Sequence, residues 1–301
     1  MGEPQRIDHL ELREQITQSE DVAVWHAIDS LAGVHVAIKV LLPGQSKDRF
    51  LREASLWRSV DHPNLANIYA VGEYQGLPWV AMEYSDRTLA SLLTDSTPLD
   101  QELVSSIALA AARGLQAANQ AGFLIADVAP ANVLLPDDGT PKVIAYASAH
   151  LTNDSDITDR IPSPKLPSYT SPEQTEARQF DQRSAIYTFG ALLFQMLTGI
   201  PPFSGSPEEI AAQHRRRPAT SVHQIRKDVW PEMGRIADRC LERDPDSRFQ
   251  TFFELVINLA LASGSVPPEQ HRSVRQRLSG MKLRLAAALA VVAAGIVAVF
   301  L

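Results

Sequence analysis

The sequence predicts an α+β fold of two unequal lobes, a small strand-rich one followed by a larger helical one. Three observations point there. A chain of 301 residues with 45% hydrophobic content is long and apolar enough for two lobes around a shared cleft. Short runs of β-branched and aromatic residues crowd the first 85 positions. After them, apolar residues recur at helical spacing between helix start and stop signals.

The elements follow in order. "DVAVWHAID" (21–29), "GVHVAIKVL" (33–41) and "GLPWVAMEY" (76–84) read as strands. Between the last two lies "SKDRFLREASLWRSV" (46–60), a helix whose Phe50, Leu51, Ala54, Trp57 and Val60 form one apolar face. Asp100 is an N-cap for a helix running to Ala121, and Gly122 follows as its terminator. The stretch 183–199 is apolar nearly all round, so it belongs at the centre of the larger lobe. Gly199 ends it, and Pro201 and Pro202 prevent its continuation. Further helices fit 207–215, 231–241 and 251–262. The polar stretch 148–172, with Pro162, Pro164 and Pro167, reads as a long loop.

Charge and composition exclude several classes. A net charge of −7 argues against a general nucleic-acid binder. Cys240 is the only cysteine, which excludes an intrachain disulfide framework or a cysteine metal cluster and fits a reducing compartment. The N-terminal "MGEPQRIDHLELREQ" is charged and has no apolar h-region, so it is not a secretory signal. Arg6 stands where an N-myristoylation signal needs Ser or Thr.

The other end differs. Residues 285–301, "LAAALAVVAAGIVAVFL", carry no polar side chain and would span roughly 25 Å as a helix. The segment before it, "HRSVRQRLSGMKLR", holds Arg272, Arg275, Arg277, Lys282 and Arg284 with no acid. Basic residues flank the cytoplasmic end of a membrane helix. The expectation is a transmembrane helix at 285–301, a basic juxtamembrane segment at 266–284, and a cytoplasmic remainder whose lobes span 1–84 and 85–265.

Several motifs occur in a telling order: "VAIK" (36–39), a helix bearing Glu53, "MEY" (82–84), "DVAPAN" (127–132) and "SPE" (171–173). "RFLREASLWRSVDHPNLANIY", "LLFQMLTGIPPFSG" and "CLERDPDSRFQT" complete the set. Together they resemble the protein kinase superfamily, bacterial Ser/Thr kinases in particular, over about residues 8–262. The resemblance implies a two-lobed kinase-like fold with a nucleotide cleft between the lobes.

It also exposes departures. Phosphoryl transfer depends on positioning and on neutralising phosphate charge. The family's glycine-rich loop aligns here with Thr17, Ser19 and Val22, none of them Gly, and Glu20 and Asp21 put negative charge beside the phosphate position. Lys39 is retained, with Glu53 as its expected helix partner. Asp127 stands at the catalytic position and Asn132 at the second metal position. Ile125, Ala126 and Ala129 replace the His, Arg and Lys that accompany them, and Ala185 replaces a bracing Asp. Where the main magnesium ligand belongs, the sequence reads Ala145-Tyr146-Ala147. A methyl group cannot coordinate Mg²⁺, which requires oxygen ligands.

Packing positions are kept. Val24, Ala37 and Leu134 match an adenine-sized apolar slot, with Met82 as gatekeeper and Glu83 and Ser85 supplying hinge backbone groups. Glu173 and Arg248 match a buried ion pair, and Trp57, Ile125 and Tyr146 a regulatory hydrophobic spine. The expected function is that of a membrane-anchored pseudokinase, a binding or regulatory module for a cytoplasmic protein or a partner kinase. Asp127 is then a remnant, magnesium has no site, and any ATP binding through Lys39 is metal-independent. The alternative is an atypical active Ser/Thr kinase using Lys39, Glu53, Asp127 and Asn132, with Glu20 or Asp21 supplying the metal site.

Overall fold

The computed structural model describes residues 6–44, 46–125, 128–144, 149–151, 167–176 and 180–264. The chain divides into two compact units, residues 1–259 and 260–301, and the elements below belong to the first up to the last residues of its final helix.

The small lobe is one antiparallel sheet in the order β1-β2-β3-β4-β6-β5. Its strands are β1 (Arg6–Ile7), β2 (Leu10–Gln18), β3 (Val22–Asp29), β4 (Val34–Leu41), β5 (Ile68–Tyr74) and β6 (Leu77–Glu83). Three of these were expected from their apolar runs; β1, β2 and β5 were not. Only the first three residues of β2 are shielded and its outer part is exposed, so its sequence is largely polar. The β5–β6 hairpin turns on Gln75 and Gly76, both at positive φ, the two-residue turn that matches strand twist. Gly72 of β5 faces Trp79, whose indole would lie 2.5 Å from any Cβ added there. One sheet face buries Leu10, Leu12, Ala27, Val36, Ile38, Val40, Trp79 and Ala81 as an apolar core. Helix α1 (Lys47–Trp57) starts at Ser46, whose hydroxyl accepts from the Arg49 amide, and packs against β5 and β6.

The larger lobe contains α2 (Leu89–Leu92), α3 (Gln101–Gln120), β7 (Phe123–Ile125), β8 (Val133–Leu134), β9 (Lys142–Val143), β10 (Ala149–Leu151), α4 (Pro172–Thr175), α5 (Gln182–Thr198), α6 (Pro207–Arg216), α7 (Val222–Ile225), α8 (Pro231–Cys240) and α9 (Phe252–Ala262). Asp100 caps α3 as expected, accepting from the amides of Glu102 (2.9 Å) and Leu103 (3.2 Å). Helix α5 is buried on nearly every side, and Gly199 ends it at φ +81°. Two ordered pieces fall inside the stretch expected as loop: β10, and one 3₁₀ turn at Pro167–Tyr169.

A second junction besides the hinge joins the lobes. The Asn64 side chain donates to the Pro141 carbonyl (3.0 Å), and the amides of Val143 and Ala66 bond to the carbonyls of Asn64 and Val143. Gly114 of α3 lies so close to the Asn64 carbonyl that a Cβ would collide with it.

Among the described residues no helix is long and apolar enough to cross a membrane. The segments 266–284 and 285–301 lie outside the described residues.

Candidate functional site

Sheet register brings the candidate slot residues together. Opposite residues in an antiparallel pair share a face, and alternate residues do so along a strand. Val24 lies opposite Lys39, Ala37 opposite Met82, and Lys39 opposite Val80. These residues therefore share the face opposite the apolar core described above. Ala37 and Met82 are buried. Leu134, also buried, is held beneath the segment after the hinge: it bridges to Thr88, and the Leu135 amide bonds to the Arg87 carbonyl (2.9 Å). The apolar residues singled out in the sequence thus fall on one sheet face and on a strand tied to the hinge.

The turn expected to face phosphates is arranged differently. The β2–β3 connection, Ser19–Asp21, is closed upon itself. The Ser19 amide donates to the Val22 carbonyl (2.8 Å). The Ser19 hydroxyl accepts from the amides of Val22 (3.3 Å) and Asp21 (3.4 Å). The Asp21 carbonyl in turn accepts from Leu42, which pins the turn to the end of β4. The side chains of Glu20 and Asp21 are exposed on this turn.

Lys39 is only 7% exposed, and its ammonium lies 5.8 Å from the centre of the Phe50 ring. Its expected ion pair with Glu53 is not formed. Glu53 pairs instead with Arg49, Nε to Oε1 2.9 Å, one turn earlier on α1. Residues four apart on a helix share a face, so Arg49 reaches the carboxylate from within α1. The Glu83 side chain is also engaged, by Lys142 of β9 (2.6 Å) and by the amide and side chain of Asn67 (3.2 Å each).

On the larger-lobe side, Asn132 ends a 3₁₀ turn at Pro130–Asn132, and its carbonyl accepts from the Ile144 amide (2.8 Å). Ala149 of β10 pairs with Ile125 of β7. The chain is therefore anchored at Ile144, beside Asn132, and again at Ala149, beside Ile125. Only Ala145, Tyr146, Ala147 and Ser148 lie between these anchors, and none carries a carboxylate. Those four residues, with Ala126 and Asp127, lie outside the described residues. Among the described residues no group of three or more His, Cys, Asp or Glu side chains is placed to hold a metal ion.

The supporting pair is as expected. Arg248 is fully buried and binds Glu173 through two nitrogens, at 2.7 and 3.4 Å. Its remaining N–H groups reach the carbonyls of Arg183, Glu242 and Arg243. Ala185, set by the resemblance against a bracing Asp, is buried in α5.

Two features were not anticipated. The Trp57 ring meets Phe123 edge-on, centroids 4.9 Å apart, so the aromatic neighbour of α1 lies two residues before Ile125 on β7. At the hinge, Tyr84 stacks on His26 (4.2 Å) and His26 on His35 (4.9 Å), with Nε2 of His26 2.7 Å from Nδ1 of His35. The Tyr84 hydroxyl donates to Asp86 (2.8 Å); partial burial and that carboxylate push its pKa up to about 12. Partial burial, then His35, lowers that of His26. The signal was present in the alternation, because His26 lies two residues after Val24 and opposite Ala37.

The comparisons with known proteins agree with this architecture. A model of the protein kinase domain matches residues 11–257. A probable serine/threonine-protein kinase of Streptomyces coelicolor is 33% identical over 273 residues, covering 86% of this chain and 41% of the relative. A probable serine/threonine-protein kinase of Clostridium acetobutylicum is 30% identical over 256 residues, covering 83% and 39%. Serine/threonine-protein kinase PknB of Mycobacterium leprae is 31% identical over 246 residues, covering 78% and 40%. The chain spans about two fifths of the length of these curated relatives. With the two lobes, the Glu173–Arg248 pair and a family match over most of its length, the chain belongs to the protein kinase family.

Proposed function

We propose that this chain is a pseudokinase, a kinase-family domain that binds and regulates a protein partner with little or no phosphoryl transfer. The partner is a cytoplasmic protein or a second kinase, and residues 285–301 anchor the domain to a membrane. The observation that carries the reading is the stretch between Ile144 and Ala149, anchored at both ends, with Ala-Tyr-Ala-Ser where a magnesium-binding carboxylate is required. Two further observations support it. The turn amides that would cradle phosphates are bonded to Ser19 and Val22, and Glu53 is held by Arg49 rather than Lys39. The residues present do not fit a magnesium–triphosphate complex.

The test is transfer of radiolabelled γ-phosphate by the full chain, with Mg²⁺ or Mn²⁺, beside its Asp127→Asn variant. No transfer above the variant is expected. A second reading, an atypical active Ser/Thr kinase, is favoured by the relatives, which are named serine/threonine-protein kinases, and by the retained Lys39, Asp127 and Asn132. Transfer that disappears in the variant would establish that second reading and reject the first.

A further inference from the structure

The two halves of the cleft point to different ligands. The apolar half keeps its residues: Val24, Ala37 and Met82 share one sheet face, and Leu134 is tied to the segment after the hinge by the Thr88 bridge. A flat heterocycle gains by burying its faces in such a slot, and a few polar groups at the slot's edge fix its orientation.

The polar half is closed to phosphate. An anion held by backbone amides needs N–H groups that are unspent and aimed outwards. Here the amides of Ser19, Asp21 and Val22 are all committed within the turn. Loosening the turn would also break the bond from Leu42 to the Asp21 carbonyl. Glu20 and Asp21 add two exposed carboxylates where the outer phosphates would lie, and like charge repels. Lys39 is the one Lys or Arg of β4, and no carboxylate between Ile144 and Ala149 brings in a metal to assist it.

We infer that the slot takes an uncharged, purine-sized planar heterocycle or its nucleoside in preference to a nucleoside triphosphate. This rests on the reading that the phosphate and metal side of the site is lost. It goes further, because an inactive domain could equally bind ATP or bind nothing. The ligand would act as a wedge between the lobes, contacting β3, β4 and β6 from one side and β8 from the other.

The test is calorimetric titration of the full chain in detergent with adenosine, AMP and ATP, each with and without Mg²⁺. Adenosine is expected to bind at least tenfold more tightly than ATP, with AMP between them and no effect of the metal. ATP binding as tightly as adenosine would overturn the inference, as would a gain in ATP affinity with Mg²⁺ or the absence of binding by all three. Glu20→Lys, on the exposed turn, supplies a second measurement. It should tighten ATP severalfold and leave adenosine unchanged; an equal change for both ligands would remove the charge argument. Tight MgATP binding without phosphate transfer sinks this inference and leaves the pseudokinase reading standing. Transfer to protein hydroxyls sinks that reading itself.

Discussion

His214 should make this domain sensitive to mild acid. It lies fully buried in α6, its Nδ1 2.8 Å from the Tyr187 hydroxyl, and it meets the ring of Phe203 edge-on at 4.6 Å. Burial pushes its pKa from 6.5 down to about 4, outweighing the opposing effect of the Pro167 carbonyl. Linkage gives the direction. Above pH 6.5 the imidazole is neutral in both folded and unfolded chains, and stability does not depend on it. Between 6.5 and about 4 the unfolded chain takes up a proton that the folded chain refuses, so stability falls as pH falls. A tenfold difference in proton affinity corresponds to about 1.4 kcal/mol, giving a loss of about 2 kcal/mol at pH 5 and about 3 kcal/mol once the folded pKa is passed. Against a typical domain stability of about 5–15 kcal/mol that is a large fraction. Urea denaturation of the wild type and His214→Asn at several pH values between 7.5 and 4.5 isolates the contribution, because the other titrating groups cancel in the difference. The wild-type advantage should shrink with acid. A difference that stays constant from pH 7 to pH 5 would refute the argument.

Other perturbations have equally definite outcomes. Glu173→Ala leaves the fully buried Arg248 guanidinium without its counter-charge and should cost about 3–5 kcal/mol in chemical denaturation. Gly190→Val drives a side chain into Cys240 of α8, where even a Cβ finds no room, and should lower stability by more than about 2 kcal/mol. Gly33→Ala meets open space and bears only the strain of φ +69°, about 1 kcal/mol, so the two melting curves should be well separated. Cys240 is buried and its thiol pKa is pushed up, so a thiol reagent should label it only after unfolding.

Much of the fold was legible because local signals agreed with tertiary ones. Asp100 and Gly199 mark helix ends through backbone chemistry that does not depend on distant neighbours. The all-round apolar sequence of α5 could only be buried. β2 escaped notice because most of it faces solvent and carries polar residues, and β5 because Gly72 interrupts its apolar pattern to admit Trp79. The site was legible in its losses more than in its pairings. Ala145 can be read as a missing ligand from the sequence alone. That Glu53 pairs with Arg49 could not be, since Lys39 and Arg49 are both plausible partners and only the placement of α1 decides between them. The Phe123 contact with Trp57 depends in the same way on how α1 meets β7.

The bonds linking Asn64 and Ala66 to Pro141 and Val143 fasten the halves of the molecule at a point remote in sequence from the hinge. A single tryptic cut after Arg87, which is exposed, would sever the covalent connection and leave these stitches in place. The two fragments should then travel as one particle on a sizing column, and denaturant would be needed to part them.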